Sequence, residues 1–194
     1  MIYILDRGRN MDEFVVNDVV NGIPLSLISS YGVFSKKKLD LGTRMLLENI
    51  VLPEEGVVAD IGCGYGPIGI YIALKNPNLK IYMIDIDKKA VYLAEKNVKR
   101  YKLENRVIVI RNNILENLDI QLNGAYSNPP LKAGKEFIEK LAQQSYERLL
   151  HNGVLEVVVY KGEKNVLDIF GKYFNEVKII KRAKGYSIIL AVKN

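Results

Sequence analysis

From residue 57 the chain alternates short apolar runs with amphipathic stretches, and the first run, Val57-Val58-Ala59-Asp60-Ile61, breaks into a loop with glycine at 62, 64 and 66. This pattern limits the fold more than any other feature. Strands separated by helical segments pair in parallel and need helices on both faces of their sheet. The periodicity predicts helix over 68–74, a strand over 80–84 ending at Asp85, helix over 88–101, and strands over 107–110 and 125–127. A helix over 135–150, a strand over 154–160 and a helix over 165–173 follow. The last two strands, 177–182 and 186–192, are separated only by a turn at Gly185 and read as an antiparallel hairpin at one edge. The expectation is an α/β, doubly wound, mostly parallel sheet.

The first 55 residues depart from that rhythm. Residues 15–20 and 25–29 alternate around Asn21-Gly22, a hairpin turn signal, and 41–50 reads as helix before Pro53. They are expected to form an N-terminal extension (1–55) packed on the same domain as the ligand-binding part (56–194). With 194 residues, 48% of them hydrophobic, there is enough apolar side chain for a substantial core. The single Cys63 excludes an internal disulfide framework, and no apolar run approaches 18 residues, so a cytoplasmic setting without membrane insertion is the expectation. Net charge is +6, and residues 161–194 carry eight basic side chains against three acidic ones. A face of that kind either attracts phosphates or is a solvated lysine surface.

Gly64-Tyr65-Gly66-Pro67-Ile68-Gly69 matches the dinucleotide fingerprint, with Asp85 beyond it at the end of the next strand. Two details point away from a dinucleotide. Pro67 removes an N–H where a pyrophosphate would be cradled. Asp60 puts a carboxylate at the strand end, which repels phosphate and suits an amino group. A ligand with an ammonium group, a carboxylate and free ribose hydroxyls fits better, and S-adenosylmethionine has all three. Asp60, directly or through water, would hold the methionine end together with the loop from Gly62 through Cys63 and Gly64 to Gly66. Asp85 would accept the ribose hydroxyls, Ile86 would pack on adenine, and Asn113 would meet the adenine edge. No metal site is expected.

Ser127-Asn128-Pro129-Pro130 follows a short strand. Asn-Pro dipeptides mark turns. The same residues also form a cluster rich in acceptors and poor in donors, because proline has a carbonyl and no N–H. Such a cluster can hold a planar NH₂ by its hydrogens, through the Asn128 side-chain oxygen and the Pro129 carbonyl. Orienting the nitrogen is then the main catalytic effect, and no strong base is needed. The lone His151 stands after the 135–150 helix, where a capping or dipole role is expected.

Five ordered motifs together resemble a known family. They are Gly32-Val33-Phe34-Ser35 with Leu39-Asp40-x-Gly42-Thr43-Arg44, the Asp60 to Gly69 loop, Asp85, Asn128-Pro129-Pro130, and Ala133-Gly134-Lys135. The chain is similar, over about residues 13 to 194, to the class I S-adenosylmethionine-dependent methyltransferases of the Asn-Pro-Pro branch. Within them it resembles the small-subunit ribosomal RNA guanine-N2 methyltransferases and their stand-alone archaeal-type relatives. The resemblance implies a seven-stranded, Rossmann-like sheet and catalysis at Asn128, Pro129 and Pro130, with Asn128 also near the cofactor. It implies that Thr43 lies near the methionine moiety, and that Phe34 and Arg44 lie on the substrate side, Arg44 being equally readable as an ion-pair partner. Leu131 stands where many members carry an aromatic residue that stacks on the target base. Stacking would then fall to Phe34, Tyr31 or Tyr126. RNA is the implied partner, and substrate capture would draw on the N-terminal layer, the basic C-terminal strands, a homodimer or an accessory protein. Transfer to a protein glutamine or a small amine, and an inactive cofactor-binding module, are the alternatives these residues leave open.

Overall fold

The structure is a computed structural model, and it describes residues 13–32, 38–130 and 134–194. Parallel pairing begins at β3 (Gly56–Ile61), which lies between β4 (Leu79–Asp85) and β6 (Leu122–Ser127), with β5 (Val107–Arg111) beyond β4. On the other side β6 pairs in parallel with β7 (Leu149–Tyr160). The hairpin of β8 (Glu176–Ala183) and β9 (Tyr186–Val192) then closes the sheet, with β9 antiparallel to both β7 and β8. The order is β5-β4-β3-β6-β7-β9-β8, seven strands in all. Chain direction along the sheet reverses between β3 and β6. In open α/β sheets that switch point, at the strands' carboxyl ends, is where ligands bind.

Five helices flank the sheet among the described residues: α1 (Leu41–Asn49), α2 (Pro67–Lys75), α3 (Lys88–Arg100), α4 (Lys135–Arg148) and α5 (Glu163–Phe170). One apolar cluster joins α1, α2 and α3 to one face, and a second joins α4 and α5 to the other. The β3 residues Val58, Ala59, Asp60 and Ile61 are buried with no polar alternation, as a central parallel strand covered on both faces requires.

The N-terminal hairpin of β1 (Glu13–Val20) and β2 (Ile23–Ser30) turns at Asn21 (φ 48) and Gly22 (φ 80), the left-handed pair of a type I′ turn. Its inner residues Val16, Val20, Leu25 and Leu27 are buried in the first apolar cluster. A fully buried side chain fastens it there. Asn97 of α3 accepts from the Ile28 N–H at 2.8 Å and donates to the carbonyls of Ile28 and Tyr65, each at 2.8 Å. One amide thus ties the free edge of β2 to the glycine loop, with both its ends satisfied.

Three expectations need correction here. The helix over 135–150 stops at Arg148, because the chain enters β7 at Leu149, paired with Leu122. His151 therefore lies exposed in a strand and caps no helix. The strand expected at 125–127 begins at Leu122, where apolar alternation is too weak to mark it.

Candidate active site

Gly62 (φ 71) and Gly64 (φ 57) turn the chain away from β3 in the left-handed region, and a Cβ at either would meet nothing within 4 Å. Both line a cavity of about 240 Å³ at the carboxyl ends of β3 and β4. Here glycine supplies the backbone conformation and leaves the space in front open. Gly66 (φ 97) differs, since a Cβ there would lie 2.4 Å from Met83 Cε of β4, and it is the residue preceding α2. Its smallness serves helix-to-strand packing, and Pro67 sits at the first turn of α2.

The loop is held from behind. The N–H groups of Gly62 and Cys63 both donate to the Ile84 carbonyl, at 2.8 and 3.0 Å, so the Cys63 N–H is already engaged. The Cys63 side chain is buried in the core, where burial pushes its thiol pKa up. Asp60 is fully buried behind the cavity wall, with Oδ2 accepting the Gly69 N–H at 2.8 Å and Oδ1 having no partner. Desolvation raises its pKa to about 7, against the lowering effect of the Gly69 N–H. An unpartnered carboxylate oxygen beneath a glycine loop is rare in proteins. It suits an ammonium group or a water carrying one.

Asp85 is half-buried on the cavity rim. Its Oδ2 accepts from the Gly64 N–H at 2.8 Å and its Oδ1 from the Asp87 N–H at 2.9 Å. Each oxygen keeps a second lone pair, the arrangement a pair of ribose hydroxyls requires. Ile86, 59% exposed, offers an apolar face on the same rim, and Asn113 lines the wall beyond it. Asn112 also reaches the cavity, but its side-chain NH₂ donates to the Glu116 carbonyl at 2.9 Å and closes a turn.

Asn128 and Pro130 stand where β6 ends, on the opposite side of the same cavity. Just before them Ser127 Oγ donates to the Ile61 carbonyl at 2.7 Å, fixing the two strand ends together. The Asn128 amide has one orientation. Its Nδ2 donates to Asp40 Oδ1 at 3.0 Å and to Thr43 Oγ1 at 2.9 Å, and a flipped amide would aim oxygen at a carboxylate. Asp40 Oδ1 also accepts the Thr43 N–H at 2.9 Å, which caps α1. The Asn128 Oδ1 takes no donor among the described residues.

Thr43 is thus buried behind Asn128, not on the cavity surface. Arg44 points the other way. It donates to Asp18 at 2.6 Å, to Glu48 at 2.9 Å and to the Val19 carbonyl at 3.2 Å, tying the N-terminal hairpin to α1, and it lines neither cavity at the Asn-Pro-Pro turn. The substrate-side expectation for Arg44 is corrected to its ion-pair alternative. Tyr126 is likewise removed as a stacking ring, being fully buried with its hydroxyl donating to the Val51 carbonyl at 2.6 Å. Phe34 and Leu131 lie outside the described residues.

Two contributors escaped sequence reasoning. Asp40, named in the sequence only as part of the Leu39 to Arg44 motif, proves to hold Asn128. Ile114 lines the cavity at φ 55, an unfavourable conformation for a β-branched residue, and no local signal announces it. Among the described residues no group of three or more His, Cys, Asp or Glu side chains could hold a metal ion, and no helix is long and apolar enough to cross a membrane.

Residues 24–190 match the model of the methyltransferase small domain family. The chain is 36% identical to the uncharacterized protein YbxB of Bacillus subtilis (strain 168), over 85% of this chain and 84% of that one. It is 30% identical to ribosomal RNA small subunit methyltransferase C of Psychromonas ingrahamii, over 89% of this chain and 50% of the relative. In fold it is similar to the T. thermophilus 16S rRNA N2 G1207 methyltransferase in complex with AdoMet and guanosine. That match has a TM-score of 0.81 at 20% identity and covers 94% of this chain and 51% of the other. The chain spans about half the length of the ribosomal RNA methyltransferases it matches.

Proposed function

The chain belongs to the methyltransferase small domain family, and from that premise we propose that it transfers a methyl group from S-adenosylmethionine to the N2 amino group of guanine in RNA. The observation that carries this reading is the Asn128 amide, locked by Asp40 and Thr43 so that its oxygen alone remains to accept a hydrogen. S-adenosylmethionine, when bound, supplies an electrophilic methyl on a sulfonium.

The residues of the first cavity fit that cofactor. Asp60, buried behind the loop, would take the ammonium group directly or through water, Asp85 would accept the ribose hydroxyls, and Ile86 and Asn113 would meet the adenine. Asn128 and the Pro129 carbonyl each take one N–H of the acceptor amine. A guanine amine donates its lone pair to the ring, so two fixed acceptors that draw the nitrogen towards a tetrahedral shape also turn that lone pair to the methyl. Orientation of this kind supplies much of a methyl-transfer rate. After transfer the nitrogen is cationic and acidic, and its proton leaves past Asn128 to solvent. No histidine takes part, since His151 lies in β7, outside the cavity lining.

The half-length relation to the ribosomal RNA enzymes leaves substrate capture to surfaces of this chain, to a second copy or to a protein partner. The deciding experiment is transfer of labelled methyl to total RNA and to total protein from the source cells, followed by digestion. Label in N2-methylguanosine is expected. Label confined to glutamine would replace this reading with amide methylation.

A further inference from the structure

On the far side of Pro130 from the cofactor cavity lies a second cavity of about 310 Å³, lined by Pro129, Pro130, Lys135, Tyr160, Lys161 and Gly162. It opens at the carboxyl end of β7, and it shares Lys161 and Gly162 with a further depression at the β8–β9 turn. Tyr160, 40% exposed, is the aromatic ring in its lining.

The ring is deliberately seated. It packs against Tyr186 with centroids 4.9 Å apart, and a Cβ on Gly185 would come within 2.9 Å of it. Tyr186 in turn leans on Gly42, where a Cβ would lie 2.8 Å from its ring, two residues from the Asp40 that holds Asn128. The aromatic pair and the acceptor clamp therefore share one support at the start of α1.

Lys161 is built into the same wall at a conformational cost. Its φ of 55 is left-handed, its N–H donates to the Gly185 carbonyl at 2.9 Å, and its ammonium lies 5.2 Å from the Tyr160 ring centre. That backbone bond to the β8–β9 turn fixes where the Lys161 side chain leaves the wall. Lys135 occupies the first turn of α4, where the helix dipole disfavours a cation. Arg182 nearby is neutralised by Glu163 at 3.2 Å, whereas Lys135, Lys161 and Lys184 have no carboxylate within ion-pair distance among the described residues.

We infer that this wall docks the RNA strand that carries the acceptor guanine, with Tyr160 stacking a base beside Asn128-Pro129-Pro130 and Lys135 and Lys161 contacting flanking phosphates. The inference rests on the RNA reading above. A stacking ring interleaved with unpaired cations is what single-stranded nucleic acid needs, whereas a glutamine side chain has no use for the cations. It also supplies the aromatic contact that Leu131 does not.

The test is anisotropy of a labelled single-stranded, guanine-containing oligoribonucleotide, titrated with the full chain at several salt concentrations, with S-adenosylmethionine affinity measured in parallel. Lys161→Gly is expected to flatten the slope of log K against log salt by about 1 and to weaken binding about eightfold at about 0.1 M salt. It relieves the backbone at φ 55, so it melts no earlier than wild type. Tyr160→Ala is expected to weaken binding about fivefold or more, and Tyr160→Phe to restore it. Cofactor affinity stays unchanged in all three. If wild type binds and methylates RNA while Lys161→Gly and Tyr160→Ala keep its affinity and salt slope, the docking surface is overturned and the RNA reading stands. If wild type neither binds RNA nor labels it, both fall together.

Discussion

The two walls that meet at Asn128-Pro129-Pro130 lie on one edge of one sheet, yet they are opposite in charge. The wall formed by β3, β4 and β5 presents Asp85, Asp87 and the glycine loop, with Asp60 behind it. The wall formed by β7 and the β8–β9 hairpin presents Lys135 and Lys161 around a tyrosine. The difference follows the ligands each would face. A sulfonium with an ammonium group and ribose hydroxyls wants carboxylates, and a polyanionic strand wants ammonium groups. The Asn128 clamp at the junction is neutral, so it can serve an uncharged amine between them.

The largest effect should come from breaking the junction alone. Asn128→Ala removes the acceptor oxygen and leaves both walls intact, so kcat should fall about 100-fold or more while S-adenosylmethionine affinity holds. Single-turnover transfer and calorimetric binding on the same preparation separate the two, and full activity in this variant would sink the mechanism. Breaking the acidic wall is the next largest. Asp85→Ala loses a charge-assisted acceptor and frees the Gly64 N–H, and should weaken cofactor binding about 10- to 100-fold with oligoribonucleotide binding unchanged.

A smaller effect sharpens the role of the support beneath the junction. Asp40→Ala takes one of the two partners that hold the Asn128 amide and should lower kcat about tenfold, with about 1 kcal/mol of stability lost with the α1 cap. Asp40→Asn retains an acceptor for both bonds and should recover most of each. A rate loss equal in the two variants would mean that Asp40 does not act by orienting Asn128.

The smallest functional effect is expected at Glu156, which lines neither cavity. Its Oε2 accepts the Val51 N–H at 2.9 Å, its Oε1 has no partner, and burial pushes its pKa up to about 8. In the unfolded chain the same carboxyl ionises near 4.3. Between those values the folded state holds a proton that the unfolded state has released, so this group lowers stability as pH rises, by about 1.4 kcal/mol per pH unit. The loss is complete above about pH 8. Glu156→Gln should flatten the denaturation midpoint against pH between about 5 and 8 and leave both ligand affinities alone. An unchanged profile would place the titration elsewhere, with the fully buried Asp60 next in line.

The helices and strands from β3 to β9 were legible because apolar periodicity and glycine turns act locally, and their ends moved by only a few residues. The Asn21-Gly22 hairpin was legible for the same reason, since a type I′ turn favours that pair. The partners of Arg44, Thr43 and Tyr126 were not legible because they are distant in sequence. Asp18 lies 26 residues from Arg44, and Asn128 lies 85 from Thr43. A side chain's direction depends on which partner packing brings within reach. Asn97 illustrates the same limit, as an ordinary helix residue that becomes the only fully buried asparagine among the described residues and pins β2 to the loop.

By itself the sequence determined the doubly wound sheet, the glycine loop at its first turn and an acceptor-rich turn after β6, because each is written in residues that lie next to one another. Only the tertiary structure decided that Gly62 and Gly64 face the cavity while Gly66 faces Met83, that Asp40 and Thr43 aim the Asn128 oxygen, and that Tyr160 and Lys161 stand beside the prolines. Those are contacts between elements, and the energy that selects them comes from burial and hydrogen bonding across the fold.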